Sequence, residues 1–196
     1  MKKLIGITGF ARSGKDTFYK RSAQLLSKEG YQSTRIAFAD ALKNELNELL
    51  LSNIGISAFT EEDKEKDLIR PLLVTYGTHL RRHLNESCWI EKVEPRVSFH
   101  LDNDEYVFVT DVRYENEAKW ILSLGGTLVS VSRYGVKPAN HEEHTQSIRM
   151  KKYIKYNIDW PTFGEDKIEE CDKHVFPFLN HFVANFLVKE NALSDE

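Results

Sequence analysis

The stretch Gly9-Phe10-Ala11-Arg12-Ser13-Gly14-Lys15-Asp16-Thr17 leaves few choices for the chain around it. Leu4-Ile5-Gly6-Ile7 precedes it, apolar enough for a short buried strand. Behind it, Phe18, Ser22, Leu25 and Leu26 share one helical face over 17–29. Between a strand and a helix, the spacing G-x-x-x-x-G-K reads as a phosphate-binding loop. Gly9 and Gly14 let the backbone curl so that several N–H groups point inward. The helix offers its N-terminus to an anion, and Lys15 reaches phosphate oxygens as a mobile point charge. Asp16 stands where this pattern commonly has the Ser or Thr that ligates Mg²⁺. Its carboxylate can hold the metal directly or through water, and Thr17 can hydrogen-bond the α-phosphate. A chance glycine turn before a core helix would explain the glycines, but not the lysine and both flanks.

A chain of 196 residues, 41% of them hydrophobic, holds one domain with a full-sized core. Its net charge of −3 provides no basic field, so polymeric nucleic acid is not an expected partner. The apolar runs fall far short of a membrane span, and Met1-Lys2-Lys3 enters a strand without a signal-peptide core. Only Cys88 and Cys171 are present, without metal-ligand spacing. A reducing, cytoplasmic setting with no membrane partner is expected.

Gly30 is placed to stop the first helix. A second strand is expected over 34–39, ending at Asp40, followed by a helix over 41–51 that packs Leu42, Leu46, Leu49 and Leu50 on the sheet. Asp40 and Lys43 then lie at a strand's carboxyl end, where ligands of open α/β sheets collect; helix capping is the plainer use of Asp40. The charged run 60–70 reads as a solvated helix. Pro71 suits the first turn of another, carrying Leu72, Leu73, Tyr76 and Leu80 and interrupted at Gly77. Arg81 and Arg82 put two cations together, either for solubility or to hold a phosphate bidentately, and spacing alone leaves both open.

Ser87 or Glu86 caps a short helix with Trp89, Ile90 and Val93, and a polar turn over 101–104 leads to a third strand over 106–110. Asp111 follows that strand directly, as an acid near Mg²⁺ does in nucleotide-binding sheets, with Arg113 two residues on. A helix over 115–124, with Ala118, Ile121 and Leu122 inward, ends at Gly125-Gly126. The fourth strand covers 127–131, and Arg133 leaves its end. Residues 133–150 are polar and aperiodic and read as a functional loop or lid. His141 and His144 within it are three apart, not the four of the zinc-protease helix motif. The fifth strand is expected over 153–157. An amphipathic tail buries Ile168, Val175, Leu179, Phe182 and Phe186, with Pro177 starting or kinking a helix and a frayed end at 192–196.

Four blocks occur in a telling order: Gly9 to Thr17, Phe38-Ala39-Asp40-Ala41-Leu42-Lys43, Tyr76-Gly77-Thr78 through Arg82 and Trp89, and Thr110-Asp111-Val112-Arg113-Tyr114-Glu115-Asn116-Glu117. Together they resemble the phage-type deoxynucleoside monophosphate kinases, P-loop enzymes related to nucleoside monophosphate kinases. The matching blocks run from about Lys3 to Asn157, and the Asp-Val-Arg block is the most specific of them. The resemblance implies an α/β, P-loop NTPase-type three-layer fold with a mostly parallel sheet of about five strands in a single domain. A helical acceptor-binding region lies around 41–94 and a lid around 133–150.

The resemblance also implies roles. Arg12 and Lys15 stabilise the transferring group, and Gly9, Ala11, Ser13, Gly14, Asp16 and Thr17 complete the site for ATP and Mg²⁺, with Asp16 on the metal. Arg82 and Arg113 grip the acceptor phosphate, and Asp111 is counted with them. Asp40, Lys43 and Arg81 line the acceptor pocket, Arg133 and Glu143 belong to the closing loop, and Asn157 approaches the ATP base. His79 stands where an acidic residue is expected, and Asn85-Glu86-Ser87 replaces an Asp-Pro-Asp type segment; both departures touch recognition of the acceptor base. The implied reaction is ATP-dependent phosphoryl transfer to a (deoxy)nucleoside monophosphate, giving ADP and the diphosphate. A P-loop kinase for a hydroxyl acceptor such as dephospho-coenzyme A, or a non-catalytic nucleotide-binding module, keeps the same loop. Monomer and homodimer both stay open.

Overall fold

Five buried residues, Leu4–Thr8, form β1 at the centre of the sheet, and their alternation decides what covers each face. The computed structural model describes residues 2–160 and 170–183. Ile5 and Ile7 point to the side where α1 (Lys15–Lys28) contributes Phe18, Leu25 and Leu26 and α7 (Asp172–Phe182) contributes Val175, Phe178 and Leu179. Gly6 points the other way, onto Ile121 of α5 (Glu115–Ser123) and Leu128 of β4 (Thr127–Arg133). Helices therefore cover both faces, as in a three-layer α/β fold. With β2 (Ser33–Ile36), β3 (Tyr106–Val109) and β5 (Tyr156–Trp160), the sheet is five-stranded and parallel, in the order β2-β3-β1-β4-β5. The loops leaving β1 and β3, both bearing predicted site residues, emerge at the same edge from neighbouring strands.

The chain divides into two compact units. One holds the sheet and its helices, Met1–Arg35 and the chain from His100 onward; the other, Ile36–Phe99, is helical. The helical unit comprises α2 (Phe38–Ile54), α3 (Asp63–Val74), a π-helical segment over Thr75–Arg82, and most of α4 (Cys88–Asp102). It has a core of its own, in which Leu46, Leu50, Ala58 and Ile69 are buried and Leu42, Leu73 and Tyr76 pack against them. No helix among the described residues is long and apolar enough to cross a membrane.

Helix α1 is as its sequence reads, with Phe18, Ser22, Leu25 and Leu26 buried. It closes where Gly30 (φ 81) and Tyr31 donate to the carbonyls of Ser27 and Leu26. Elsewhere the structure corrects the expectations. The second strand ends at Ile36, and the chain is helical from Phe38, so Asp40 lies in the first turn of α2, where the helix dipole favours an acid, rather than at a strand end. Leu49 is exposed, and the apolar side of α2 packs within its own unit's cluster.

Pro71 sits inside α3, which runs unbroken into the π-helical segment, so Gly77 does not interrupt a helix there. Leu72 and Leu80 face solvent while Leu73 and Tyr76 pack inward. Helix α4 is long, and it absorbs Leu101 and Asp102 of the expected turn. Leu122 is 39% exposed, leaving Ala118 and Ile121 as the inward face of α5.

Residues 141–150 are not loop but helix α6 (His141–Met150), capped by Asn140, whose side chain accepts the Glu143 N–H at 2.8 Å. Only Met150 of α6 is buried, so no apolar stripe announced it. Strand β5 starts three residues late, after a 3₁₀ turn over Lys151–Tyr153, which puts Asn157 within the strand opposite Ser130 rather than after it. Arg133 likewise belongs to β4. Pro177 lies inside α7, where Val175, Leu179 and Phe182 are buried as expected. Ile168, Phe186 and 192–196 lie outside the described residues.

A β-carbon on Gly6 would lie 2.5 Å from Ile121 Cδ1 and 2.7 Å from Leu128 Cδ2. Gly6→Ala is therefore expected to destabilise the protein by about 1–3 kcal/mol through overpacking. Thermal unfolding checks this, and an unchanged midpoint would contradict the close seating of α5 on β1.

Candidate active site

The loop between β1 and α1 depends on two glycines for two reasons each. Gly9 (φ 141) and Gly14 (φ 95) both adopt backbone angles that favour glycine. A β-carbon on Gly9 would also stand 2.1 Å from the Val131 carbonyl oxygen of β4, and one on Gly14 would stand 2.8 Å from the Trp160 ring. Arg12, exposed at the apex, holds a left-handed φ of 63°, a strained choice for a residue with a side chain. Beneath the loop, the indole N–H of Trp160 donates to the Ser13 carbonyl at 3.0 Å. Ser13 is buried, and its hydroxyl has no partner among the described residues. Thr17 follows in the first turn of α1.

Lys15 Nζ donates to the carbonyls of Gly9 (2.8 Å) and Phe10 (2.7 Å). Burial, and then the neighbouring Arg113 guanidinium, push its pKa below that of an ordinary lysine, while Glu143, Asp16 and Asp111 pull the other way. Five predicted site residues thus share one electrostatic neighbourhood around the ammonium. Asp16, 72% exposed, faces Arg35 Nε at 3.7 Å. Among the described residues no group of three or more His, Cys, Asp or Glu is placed to hold a metal ion.

The segment carrying Asp111 and Arg113 is tied down from both sides. Val112 N–H donates to the Ile7 carbonyl of β1 at 3.0 Å. The Glu117 carboxylate, 1% exposed, accepts the N–H groups of Arg113 (2.7 Å) and Tyr114 (3.0 Å) and so caps α5 from within. The Arg113 side chain is left exposed. Glu143, in the first turn of α6, does something its sequence context did not suggest. Its carboxylate accepts the Ala11 N–H of the phosphate loop at 3.0 Å and the Ala139 N–H at 2.7 Å. An anion of the chain itself therefore engages the loop backbone.

Arg133 ends β4 with its Nε buried and without a partner among the described residues. Asn157 lines a cavity of about 170 Å³ with Gly9, Ser130, Ser132, Ser147 and Met150.

The remaining predicted residues belong to the helical unit. Lys43 Nζ stands 5.4 Å over the Phe59 ring. Arg82 Nη1 donates to the Glu86 carbonyl at a long 3.4 Å. Arg81 is held by a residue that sequence reading passed over: Glu45 accepts from Arg81 Nη2 (3.2 Å), Tyr76 Oη (2.9 Å) and Lys92 Nζ (3.1 Å). Burial opposes ionisation of Glu45, but the donors from Lys92 and Tyr76 and the Arg81 charge outweigh it and hold its carboxyl below the usual range. Trp89, buried, lies 5.5 Å from the Arg81 guanidinium, and its Nε1 donates to the Gly77 carbonyl at 3.2 Å.

No model of a known protein family matches the chain. A protein of Acanthamoeba polyphaga mimivirus named "Putative deoxynucleotide monophosphate kinase" is 27% identical in an alignment 177 residues long that covers 79% of this chain and 86% of that protein. Among solved structures, a dephospho-CoA kinase from Campylobacter jejuni superposes with a TM-score of 0.49 at 15% identity, over 88% of this chain and 95% of its own. The structure of TT1252 from Thermus thermophilus gives 0.45 at 18% identity, over 90% and 97%. At such scores neither structure bears on the chemistry. Over most of its length, then, the chain is similar in sequence to a protein that carries a nucleotide kinase's name.

Proposed function

We propose that the protein transfers the γ-phosphoryl group of ATP to the phosphate of a (deoxy)nucleoside monophosphate, with Mg²⁺. The observation that carries the reading is the loop itself: two glycines with no room for a β-carbon, a half-buried lysine among its carbonyls, and a backbone N–H already bound to a carboxylate. Such a cradle fits a phosphate chain. Asp16 suits Mg²⁺, which takes one or two carboxylates and fills its sphere with phosphate oxygens and water. When bound, the ion screens the charge on the β- and γ-phosphate oxygens.

On this reading Lys15, Arg12 and the loop N–H groups position the donor phosphates, and Lys15 must leave the carbonyls of Gly9 and Phe10 to do so. Arg113 presents its charge beside Lys15, while Asp111 balances it. From the helical unit, Asp40, Lys43, Arg81 and Arg82 serve the acceptor. A P–O bond forms from the acceptor phosphate to the γ-phosphorus, and the bond to the β–γ bridging oxygen breaks, releasing ADP. A phosphate monoester has its second pKa near ~6, so no side chain has to remove a proton at neutral pH. Positioning and charge compensation then suffice.

ADP release with a panel of deoxynucleoside monophosphates, nucleosides and dephospho-coenzyme A tests the reading. Turnover is expected with monophosphates; turnover only with a hydroxyl acceptor would overturn it. Lys15→Ala is expected to lower kcat by about 10²–10³-fold without changing the fold; near-normal turnover would remove the loop from the chemistry. Arg113→Ala and Arg82→Ala should raise KM for the monophosphate more than KM for ATP, measured with each substrate varied in turn. Asp16→Ala should move the Mg²⁺ requirement to higher concentration, and Asp16→Ser should restore part of it. Superimposable Mg²⁺ titrations would end the metal role.

A further inference from the structure

Tyr76 and Arg81 are five residues apart, and in an α-helix their side chains would diverge by about 140° around the axis. They nevertheless meet one carboxylate, that of Glu45. The π-helical winding over Thr75–Arg82 is what allows it, because its i→i+5 hydrogen bonds stack residues five apart. Lys92 of α4 closes the group from a third element. Glu45 is only 19% exposed and makes all three contacts at once.

The arrangement fixes the Arg81 guanidinium without using it up. Trp89, itself anchored to the Gly77 carbonyl, lies 5.5 Å from it, and Glu45 takes an N–H at Nη2. Arginine has five N–H donors in a rigid fork. Nε is buried and has no partner among the described residues. That donor lies out of reach of solvent, but the Arg81 side chain keeps 32% of its surface exposed, so the N–H groups that Glu45 does not take can meet an acceptor that arrives from outside. Charge agrees: one carboxylate stands against two cations, Arg81 and Lys92, leaving an excess of positive charge for an anion.

We propose that Glu45 is a positioning residue for the acceptor: it orients Arg81 so that the remaining N–H groups of the guanidinium receive a phosphate monoester. This rests on the proposed function and deepens it by adding Arg81, pre-oriented through Glu45, to the groups that receive the acceptor's phosphate. A carboxylate that merely tied helices together would have no need of a partly exposed guanidinium held at one nitrogen against an indole.

Steady-state kinetics on Glu45→Gln tests it, since the variant keeps the shape and loses the charge. KM for the nucleoside monophosphate should rise about tenfold, with KM for ATP within about twofold, as expected when one oriented charged contact is loosened. Glu45→Asp should recover part of the loss. In an Arg81→Ala background Glu45→Gln should add nothing further, because Glu45 acts through Arg81. Should Glu45→Gln not fold, Arg81→Lys, which keeps the charge and loses the fork, carries the same expectation for the two KM values. Equal shifts for both substrates, no shift, or additive effects in the double variant would overturn the assignment. Calorimetry with the monophosphate alone separates the two ideas. Wild-type protein that binds no monophosphate would end the proposed function and this inference together. Binding that is undiminished in the variants would end the inference only.

Discussion

The approach of Gly9 to the Val131 carbonyl oxygen is the constraint on which the rest depends. No side chain fits between them, so the chain can leave β1, turn tightly over β4 and still deliver Lys15 to the start of a helix. Trp160 supports the turn from the next strand over, filling the space that a side chain on Gly14 would need and holding the Ser13 carbonyl. β1, β4 and β5 are thus not only core; their order across the sheet is what shapes the loop. Ile5, Ile7 and Phe18 bury the same junction from below.

In both units a carboxylate of the chain engages a group that the proposed chemistry needs. Glu143 sits on the Ala11 N–H, and Glu45 on Arg81. Glu117 works one step further back, holding the backbone from which Arg113 projects. Cations packed close together, such as Lys15 near Arg113, repel, and carboxylates nearby make such a grouping tolerable in a folded chain. The acids around the site therefore stabilise an arrangement of positive charge that would otherwise be self-opposing.

What could be read from sequence was local. The phosphate loop, α1 and its glycine stop, β3 and its acidic exit, and the outline of the sheet all declare themselves within spans of a dozen residues. Trp160, by contrast, bonds a carbonyl 147 positions away, and Glu45 meets Arg81 across 36. Nothing nearby marks either one, although the alternation of Tyr156, Ile158 and Trp160 could have fixed β5 in its true register. Helix α6 was hidden by its polarity, and only the pairing of Asn140 with Glu143 hinted at a capped start. Pro71 read as the start of a helix and instead sits inside one; Gly77 read as a break because propensity describes α-helix, and a π-helical winding that serves Tyr76, Arg81 and Trp89 lies outside that vocabulary.

Trp160 has one more consequence. Indole emission responds to hydrogen bonding and to polarity at the ring, and this indole is bonded to the loop backbone and packed beneath Gly14. The chain has three tryptophans, and the others lie elsewhere, Trp89 in the helical unit and Trp120 on α5. The protein therefore carries a native fluorophore wired to its phosphate loop, so that rearrangement of the loop has an optical signature without any attached dye.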